Sequence, residues 1–586
     1  MNDQMNELVQ FSPFAGDLYL QTVPGQTSRK VEHENDIHAA DGQDRSMYAY
    51  APMSGCPDPK QCQVLMVLRN DDSQEGAQKL LVDLKLQGLA EAEHFLILFP
   101  NPQHGGWNYR EDASLDNDMD FLGRCFGLLR GSKLGVNGFN GMIYYLSVSS
   151  DASALLMTMA AKKPLNVPAM MIGEFPADYV IPQDALNIET AAWISGNAAA
   201  EQYLKRANGV TTEFSHDDVV EYCGKNPNCR LITSQRPVDA DMVALAWDRF
   251  FSLTRRWQND TYGTYQKRTF FTARGFTAHV KDTSLECNDG FAHTWYEYIP
   301  PQLRGTKEKV PLVFYFHGVN CVPLYGAEQS GWHDIADREN LIVIYPAPAQ
   351  NKAWNIFNDP SMPSDFEFVM ALITHIQQVH PIDTERIYAT GFSMGAMMTH
   401  AITACYPQIF AGAAPCNGFD FAYFKTPAKV LQSIVRGSNI DALSEKSTQK
   451  IMADDCRKKM DYRMPMFQNA GYDDATICLW PMKPDTDDVR RSTIARWMEL
   501  NHIAPLELDG NTLSGIAADE SFYEDPEQRF YHQRWHSEDD GQPILYELLI
   551  AKRMPHAIVH EQIAFAWEFL KHFRRKADGS LVISEL

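Results

Sequence analysis

Apolar residues along this chain gather in short unbroken runs, with amphipathic stretches between them. In the second half, PLVFYF at 311–316 and LIVIY at 341–345 are continuous apolar runs, the pattern of strands buried on both faces. Residues 332–340 and 364–378 carry apolar positions at helical spacing. RIYAT at 386–390 reads as a strand, 396–406 as a helix and 464–470 as a short strand. PILYELLI at 543–550 reads as the last strand and 559–575 as a closing amphipathic helix. Strands and helices alternating in this order predict a doubly wound α/β layer.

The first half repeats that pattern. Tyr48-Ala49-Tyr50-Ala51-Pro52 echoes Tyr296-Glu297-Tyr298-Ile299-Pro300, and VLMVL at 64–68 echoes the run ending at Phe316. Phe99-Pro100 followed by Trp107-Asn108 echoes Tyr345-Pro346 followed by Trp354-Asn355. Eleven positions separate Trp107 from Asp118, and eleven separate Trp354 from Asp365. Ile143-Tyr144 echoes Ile387-Tyr388, and Ala246-Trp247-Asp248 echoes Ala566-Trp567-Glu568. Order and spacing together predict a duplication: two tandem α/β units, at 1–265 and 266–586.

Candidate chemistry is confined to the second copy. Gly391-Phe392-Ser393-Met394-Gly395 lies between strand and helix, the G-x-S-x-G pattern of the nucleophile elbow of α/β-hydrolases. The small residues two before and two after the serine let strand and helix pass closely. His317-Gly318-Val319 ends an early strand, where such enzymes place the loop that donates one oxyanion N–H. The expected oxyanion donors are therefore the backbone of Met394 and of Gly318 or Val319. His556, in the loop after the last strand, is the expected general base, with His560 as the fallback. Asp474, at the end of a short strand, is the first candidate for the acid, with adjacent Asp473 and Asp487 as alternates. His317 and Trp354 are candidate substrate-contacting residues. The first copy reads Arg69-Asn70 in place of His-Gly, SVSSD around Ser149 in place of GFSMG, and Pro237-Val238 in place of Pro555-His556. Its serine lacks a base, so the first copy is expected to be non-catalytic, with a role in packing, shaping an entrance or forming a homo-oligomer.

The segment from about 310 to 418 resembles the polyhydroxybutyrate depolymerase and feruloyl esterase branch of the α/β-hydrolases. The residues that carry the resemblance are PLVFYFHG, GWHDIADRENLIVIYP, AWNIF, IDTERIYATGFSMGAMM and YPQIFAGAAPCNG. It implies a serine carboxylesterase that forms an acyl-enzyme on Ser393 and needs no cofactor. The family pattern of a strand ending in Gly-x-x-Asp maps onto Asp474. Ala353 stands where relatives often carry a cysteine, so the disulfide of secreted relatives is not expected here.

Two insertions bear on access to the serine. Residues 421–461 read as helical. Residues 508–542 end in a hairpin whose strands flank Asp539-Asp540-Gly541, and its Tyr531 and Trp535 either line a substrate pocket or fill the hairpin's own buried face. Net charge is −23, which disfavours nucleic acid and anionic membrane as partners. No run reaches transmembrane length, and the first residues lack a basic segment followed by an apolar core, so a cytoplasmic protein without a signal peptide is the expectation. Eleven scattered cysteines read as free thiols, and no metal signature is present. The leading expectation is hydrolysis of small soluble esters, feruloyl or other hydroxycinnamoyl esters among them. Peptide hydrolysis, cleavage of short polyhydroxyalkanoate oligomers and an inert binding or scaffold role are the alternatives.

Overall fold

Unbroken apolar runs become the central strands of two ten-stranded sheets in the computed structural model, one in each of two units, Met1–Thr269 and Phe270–Leu586. The structure describes residues 15–25, 42–56, 62–103, 105–110, 118–130, 140–285, 287, 290–349, 353–356, 362–419, 462–476, 480–483 and 489–584. The expected helical insertion at 421–461 and the alternate acid Asp487 lie outside them.

The first unit contains β1 (Leu18–Val23), β2 (Arg45–Tyr50), β3 (Val64–Leu68), β4 (Leu96–Pro100), β5 (Ile143–Ser147), β6 (Ala169–Ile172), β7 (Ala191–Ser195), β8 (Thr212–His216), β9 (Val219–Cys223) and β10 (Leu231–Ser234). They lie in the order β1-β2-β4-β3-β5-β6-β7-β10-β9-β8. A two-stranded ribbon, β11 (Arg256–Trp257) and β12 (Thr264–Tyr265), follows. The alternation of β3 splits its side chains between two cores: Val64, Met66 and Leu68 join one, while Leu65 and Val67 join the other.

The second unit contains β13 (Phe276–Asp282), β14 (His293–Tyr298), β15 (Val310–Phe316), β16 (Ile342–Pro346), β17 (Ile382–Phe392), β18 (Gly412–Cys416), β19 (Met466–Gly471), β20 (Glu520–Tyr523), β21 (Phe530–His536) and β22 (Ile544–Ala551). Their order is β13-β14-β16-β15-β17-β18-β19-β22-β21-β20. Adding twelve to each label of the first order yields the second, with the same parallel and antiparallel pairings throughout. Both sheets are therefore doubly wound α/β layers with antiparallel hairpins at their edges.

Local contacts repeat as well. Trp107 Nε1 donates to the Arg69 carbonyl at 3.0 Å, and Trp354 Nε1 donates to the His317 carbonyl at 2.8 Å. Asp118 accepts from the Asn108 N–H at 2.6 Å, and Asp365 from the Asn355 N–H at 2.7 Å. Tyr144 meets Trp247 edge-on with ring centroids 6.0 Å apart, and Tyr388 meets Trp567 edge-on at 5.6 Å. These contacts tie strand ends and closing helices to the sheet, which a buried aromatic with one polar atom does well.

One expected element ends early. The closing helix runs His560–Leu570 and gives way to β23 (Phe573–Arg575), which pairs with β24 (Leu581–Ile583). Fixed acceptors on the sheet side account for the break. The Tyr388 hydroxyl donates to the Phe573 carbonyl at 2.7 Å, and buried Arg575 donates to the carbonyls of Phe410 and Gly579. A continuing helix would withdraw the Phe573 carbonyl into its own ladder. Among the described residues no helix is long and apolar enough to cross a membrane, and nine cysteines take part in no disulfide.

Candidate active site

Ser393 sits where β17 turns into the helix Met394–Cys405, and the turn forces it to φ 57°, ψ −120°. That backbone region is costly for a residue with a Cβ and persists only where its surroundings hold it. Three of the holding contacts come from its own backbone. The Ser393 N–H donates to the Cys416 carbonyl at 2.9 Å, and its carbonyl accepts from Ala396 and Met397. Gly391 and Gly395 permit the turn: a Cβ on Gly395 would overlap the Phe316 carbonyl oxygen, and one on Gly391 would overlap the Gly395 carbonyl. Every residue of the following helix is buried.

His556 reaches the serine from the loop after β22. Its Nε2 lies 2.9 Å from Ser393 Oγ, and its Nδ1 lies 2.7 Å from Asp474 Oδ2. A carboxylate only accepts, so Nδ1 carries the proton and Nε2 presents a lone pair to the serine hydroxyl. Asp474 is fully buried, and its Oδ1 accepts from the Thr476 N–H at 2.9 Å. Ser393 is 8% exposed and the His556 side chain 21%, so the serine is recessed and the imidazole is its more open neighbour. The Phe392 ring lies 4.9 Å from the imidazole and covers one side of it. The loops carrying acid and base touch directly: the Asp473 N–H donates to the Met554 carbonyl at 3.0 Å, and a Cβ on Gly471 would sit 2.5 Å from that same oxygen.

Of the two adjacent aspartates the structure brings Asp474 to the imidazole and leaves Asp473 exposed. His560 turns away: its Nε2 meets the Glu328 carbonyl at 3.1 Å, and its ring packs on Gly331. Gly318 abuts the serine, since a Cβ there would stand 3.3 Å from Ser393 Cβ, which puts the Gly318-Val319 segment beside the reacting oxygen. Met394 is the first residue of its helix, so its N–H has no intrahelical acceptor.

Of the four candidate substrate contacts, two are buried behind the oxyanion loop and two belong to the hairpin's own packing, the second of the two readings open for them. His317 and Trp354 are buried beneath the loop, held by the Trp354 bond to the His317 carbonyl and by a His317 Nδ1 contact with the Gly318 carbonyl at 2.8 Å. They shape the loop from behind. Trp535 pairs with Tyr546 near the start of β22, five residues and thus roughly 17 Å from the strand end that leads to His556. It is buried, and its Nε1 donates to the Ala517 carbonyl at 2.9 Å. Tyr531 lies on β21, four strand spacings or roughly 19 Å across the sheet from β17. Tyr531 packs on Tyr523 with ring centroids 5.1 Å apart and Trp535 meets Tyr546 edge-on at 5.6 Å, so both aromatics belong to the hairpin's own packing.

The corresponding place in the first unit is relaxed. Register pairs Leu68 with Ser147 as it pairs Phe316 with Gly391, which puts Ser149 at the serine position. Ser149 is extended, at φ −142°, ψ 158°, and its Oγ donates to Asn70 Oδ1 at 2.7 Å. Counting on from the β6/β7 register, the place of Asp474 falls on Ala200.

Sequence reasoning passed over Asn417. Buried at φ 48°, it donates through Nδ2 to the Ala557 carbonyl at 2.5 Å and accepts at Oδ1 from the Gly471 N–H at 2.6 Å. In the sequence it stands within the resemblance-carrying run YPQIFAGAAPCNG, and its Asn-Gly pair directly after a strand marks a turn without assigning it a role. His400, on the serine's helix, sits behind this turn. It accepts at Nδ1 from Trp497 Nε1 at 2.9 Å, its Nε2 meets the Gly418 carbonyl at 3.3 Å, and burial pushes the imidazole down to about 4. Among the described residues no group of three or more His, Cys, Asp or Glu side chains is placed to hold a metal ion.

Residues 294–453 match the family described as esterase PHB depolymerase. Over 138 residues the chain is 30% identical to a bifunctional acetylxylan esterase/xylanase, XynS20E, of Neocallimastix patriciarum, covering 23% of this chain and 20% of that protein. It is 32% identical over 131 residues to poly(3-hydroxyalkanoate) depolymerase C of Paucimonas lemoignei, covering 21% and 30%. It is 29% identical over 136 residues to feruloyl esterase B of Thermothelomyces thermophilus, covering 22% and 44%. The matches thus span less than half the length of each of these relatives. Among solved structures, an acetyl xylan esterase from Aspergillus awamori aligns with 51% of this chain and 99% of its own, at 16% identity and a TM-score of 0.35.

Proposed function

We propose that the second unit is a serine carboxylesterase acting on small soluble esters. The observation that carries this reading is the hydrogen-bonded series Ser393 Oγ, His556 Nε2, His556 Nδ1, Asp474 Oδ2, with links of 2.9 and 2.7 Å at one end of the sheet. Such a series activates a hydroxyl that is otherwise a weak nucleophile.

Ser393 Oγ attacks the ester carbonyl carbon while its proton passes to His556 Nε2. Asp474 holds the imidazole in the tautomer that accepts that proton and stabilises the imidazolium that forms. The oxyanion of the tetrahedral intermediate takes hydrogen bonds from the backbone N–H of Met394 and of the Gly318-Val319 segment. Collapse of the intermediate expels the alcohol, which leaves with the proton from His556. Water then adds to the acyl-enzyme, giving its proton to the same nitrogen, and the acid departs as Ser393 Oγ takes that proton back.

The esterase match and the feruloyl, acetylxylan and hydroxyalkanoate names of the relatives support esters as the substrate class. Within that class we favour feruloyl and acetyl esters of small soluble molecules, handled in a reducing compartment that suits the free thiols. The first unit serves as a non-catalytic partner domain, since Ser149 has neither the strained turn nor a base.

Turnover of p-nitrophenyl acetate and methyl ferulate, with Ser393→Ala as control, tests the reading. The expected result is hydrolysis and fluorophosphonate labelling that both vanish in the variant. Full activity in Ser393→Ala overturns the assignment.

A further inference from the structure

We infer that Asn417 is a positioning residue: its side-chain amide clamps the base loop to the acid strand and so sets the His556–Asp474 distance. The inference rests on the reading of Ser393, His556 and Asp474 as the reacting group.

The amide links the turn beside Ser393 to the loops that carry the acid and the base. Asn417 follows Cys416, whose carbonyl receives the Ser393 N–H at 2.9 Å. It precedes Gly418, where a Cβ would overlap the Ser393 carbonyl oxygen. Its own N–H donates to the Asn469 carbonyl on β19 at 2.9 Å. Its side chain then bridges outward, accepting from Gly471, three residues before Asp474, and donating to Ala557, one residue after His556. The acid–base bond of 2.7 Å must be kept across those same two loops. Productive geometry of this kind has to hold within about 0.5 Å, and a displacement of about 1 Å costs on the order of a hundredfold in rate.

Asparagine is what this position calls for. The bridge takes a donor on one atom and an acceptor on another, so a carboxylate lacks the donor, and a hydroxyl, which can donate and accept, offers a single atom for two separate places. At φ 48° the backbone is left-handed, which asparagine tolerates better than most residues with a side chain. The turn is braced from behind by His400 and by Gln468 Nε2, both on the Gly418 carbonyl.

The first unit supplies an independent comparison. Register pairs Leu146 with Met171 as it pairs Thr390 with Ala414, so the place of Asn417 is taken there by Glu174, which is exposed. The copy that lost its elbow glycines, base and acid also lacks the amide. It keeps the Trp107 bond to the strand-end carbonyl, the Asp118 bond and the Tyr144–Trp247 contact. Asn417 thus goes with the chemistry and those contacts go with the fold.

Two variants of the full chain test this. Asn417→Gly deletes the amide at a backbone angle that glycine accepts without strain. Asn417→Asp keeps the shape but sets a carboxylate oxygen against the Ala557 carbonyl. Two readouts separate positioning from folding: kcat and KM for p-nitrophenyl acetate, and the downfield proton resonance of the His556 Nδ1–H. The expected result is a fall in kcat of about 30- to 100-fold, with KM within about threefold, and loss or broadening of the resonance, while circular dichroism is unchanged. If Asn417→Gly fails to fold, Asn417→Asp carries the test through the same readouts. Folded variants with kcat within threefold of the parent and an intact resonance overturn the positioning role. Should the unaltered chain hydrolyse no ester yet lose the resonance on substitution, the esterase reading falls and the clamp stands.

Discussion

Adjacent aspartates at the end of β19 offer a sharp test of the acid assignment. Asp474→Asn replaces a fully buried carboxylate, 2.7 Å from His556 Nδ1, with an amide of the same shape. The carboxylate stabilises the imidazolium formed during attack. Two unit charges about 4 Å apart at an effective dielectric of about 20 interact by roughly 4 kcal/mol. At about 1.4 kcal/mol per tenfold, that predicts a loss near 10³ in kcat. The amide also turns an N–H toward Nδ1 and so favours the tautomer with its proton on Nε2, which cannot accept from Ser393. Together the two effects predict a fall of about 10³- to 10⁴-fold. Asp473→Asn alters an exposed side chain next to the same backbone and should leave kcat within about threefold. Steady-state hydrolysis of p-nitrophenyl acetate at pH 8, with active-site titration to count competent enzyme, reads both variants. An Asp474→Asn enzyme within tenfold of the parent, or an Asp473→Asn enzyme equally damaged, would refute the reasoning.

Three further outcomes follow from the same geometry. Gly395→Ala drives a methyl into the Phe316 carbonyl oxygen, a backbone atom with no freedom to withdraw, and should lower stability by about 3 kcal/mol in urea unfolding and abolish fluorophosphonate labelling. Ser149→Ala removes only a hydrogen bond to Asn70, so ester turnover should stay within twofold; a tenfold loss would reveal a second reacting serine. His400, held by burial at about 4 against an ordinary 6.5, is neutral in the folded protein and takes up a proton on unfolding below pH 6.5. Its contribution is therefore intact above pH 6.5 and lost as pH falls toward 4, by about 2 kcal/mol at pH 5. His400→Gln should shrink the stability difference between pH 7 and pH 5 by that amount, and an unchanged difference would count against the buried neutral imidazole.

The sequence disclosed the parts of this site that geometry forces on residue type. A turn at φ 57° crowded by a carbonyl needs glycine at 391 and 395, so the elbow is written in the sequence. His556 could be picked out by its place in the loop after the last strand, and the structure puts its Nε2 2.9 Å from Ser393 Oγ. Asp474 was not separable from Asp473, because neighbouring residues with the same chemistry differ only in which one the strand end buries. Tyr531 and Trp535 show the opposite failure. An aromatic looks the same in a sequence whether it lines a cleft or fills a hairpin, and sheet order decided between the two. Asn417 was silent because its work is done through two carbonyl-and-amide contacts that no residue pattern encodes. The duplication was legible from spacing alone, and the shared strand order gives it physical form.

The relaxed backbone at Ser149 bears on whether the first unit could regain a function. At φ −142° the serine caps a helix without strain, and its hydroxyl is already committed to Asn70. Restoring a histidine alone would face a hydroxyl aimed elsewhere. Restoring the glycines alone would loosen a helix start and provide no proton acceptor. Each reversion taken singly costs stability or changes nothing, and only several together, backbone path included, would restore a reactive serine. A reactive serine in this half of the chain is therefore separated from the present geometry by several simultaneous changes, not by one.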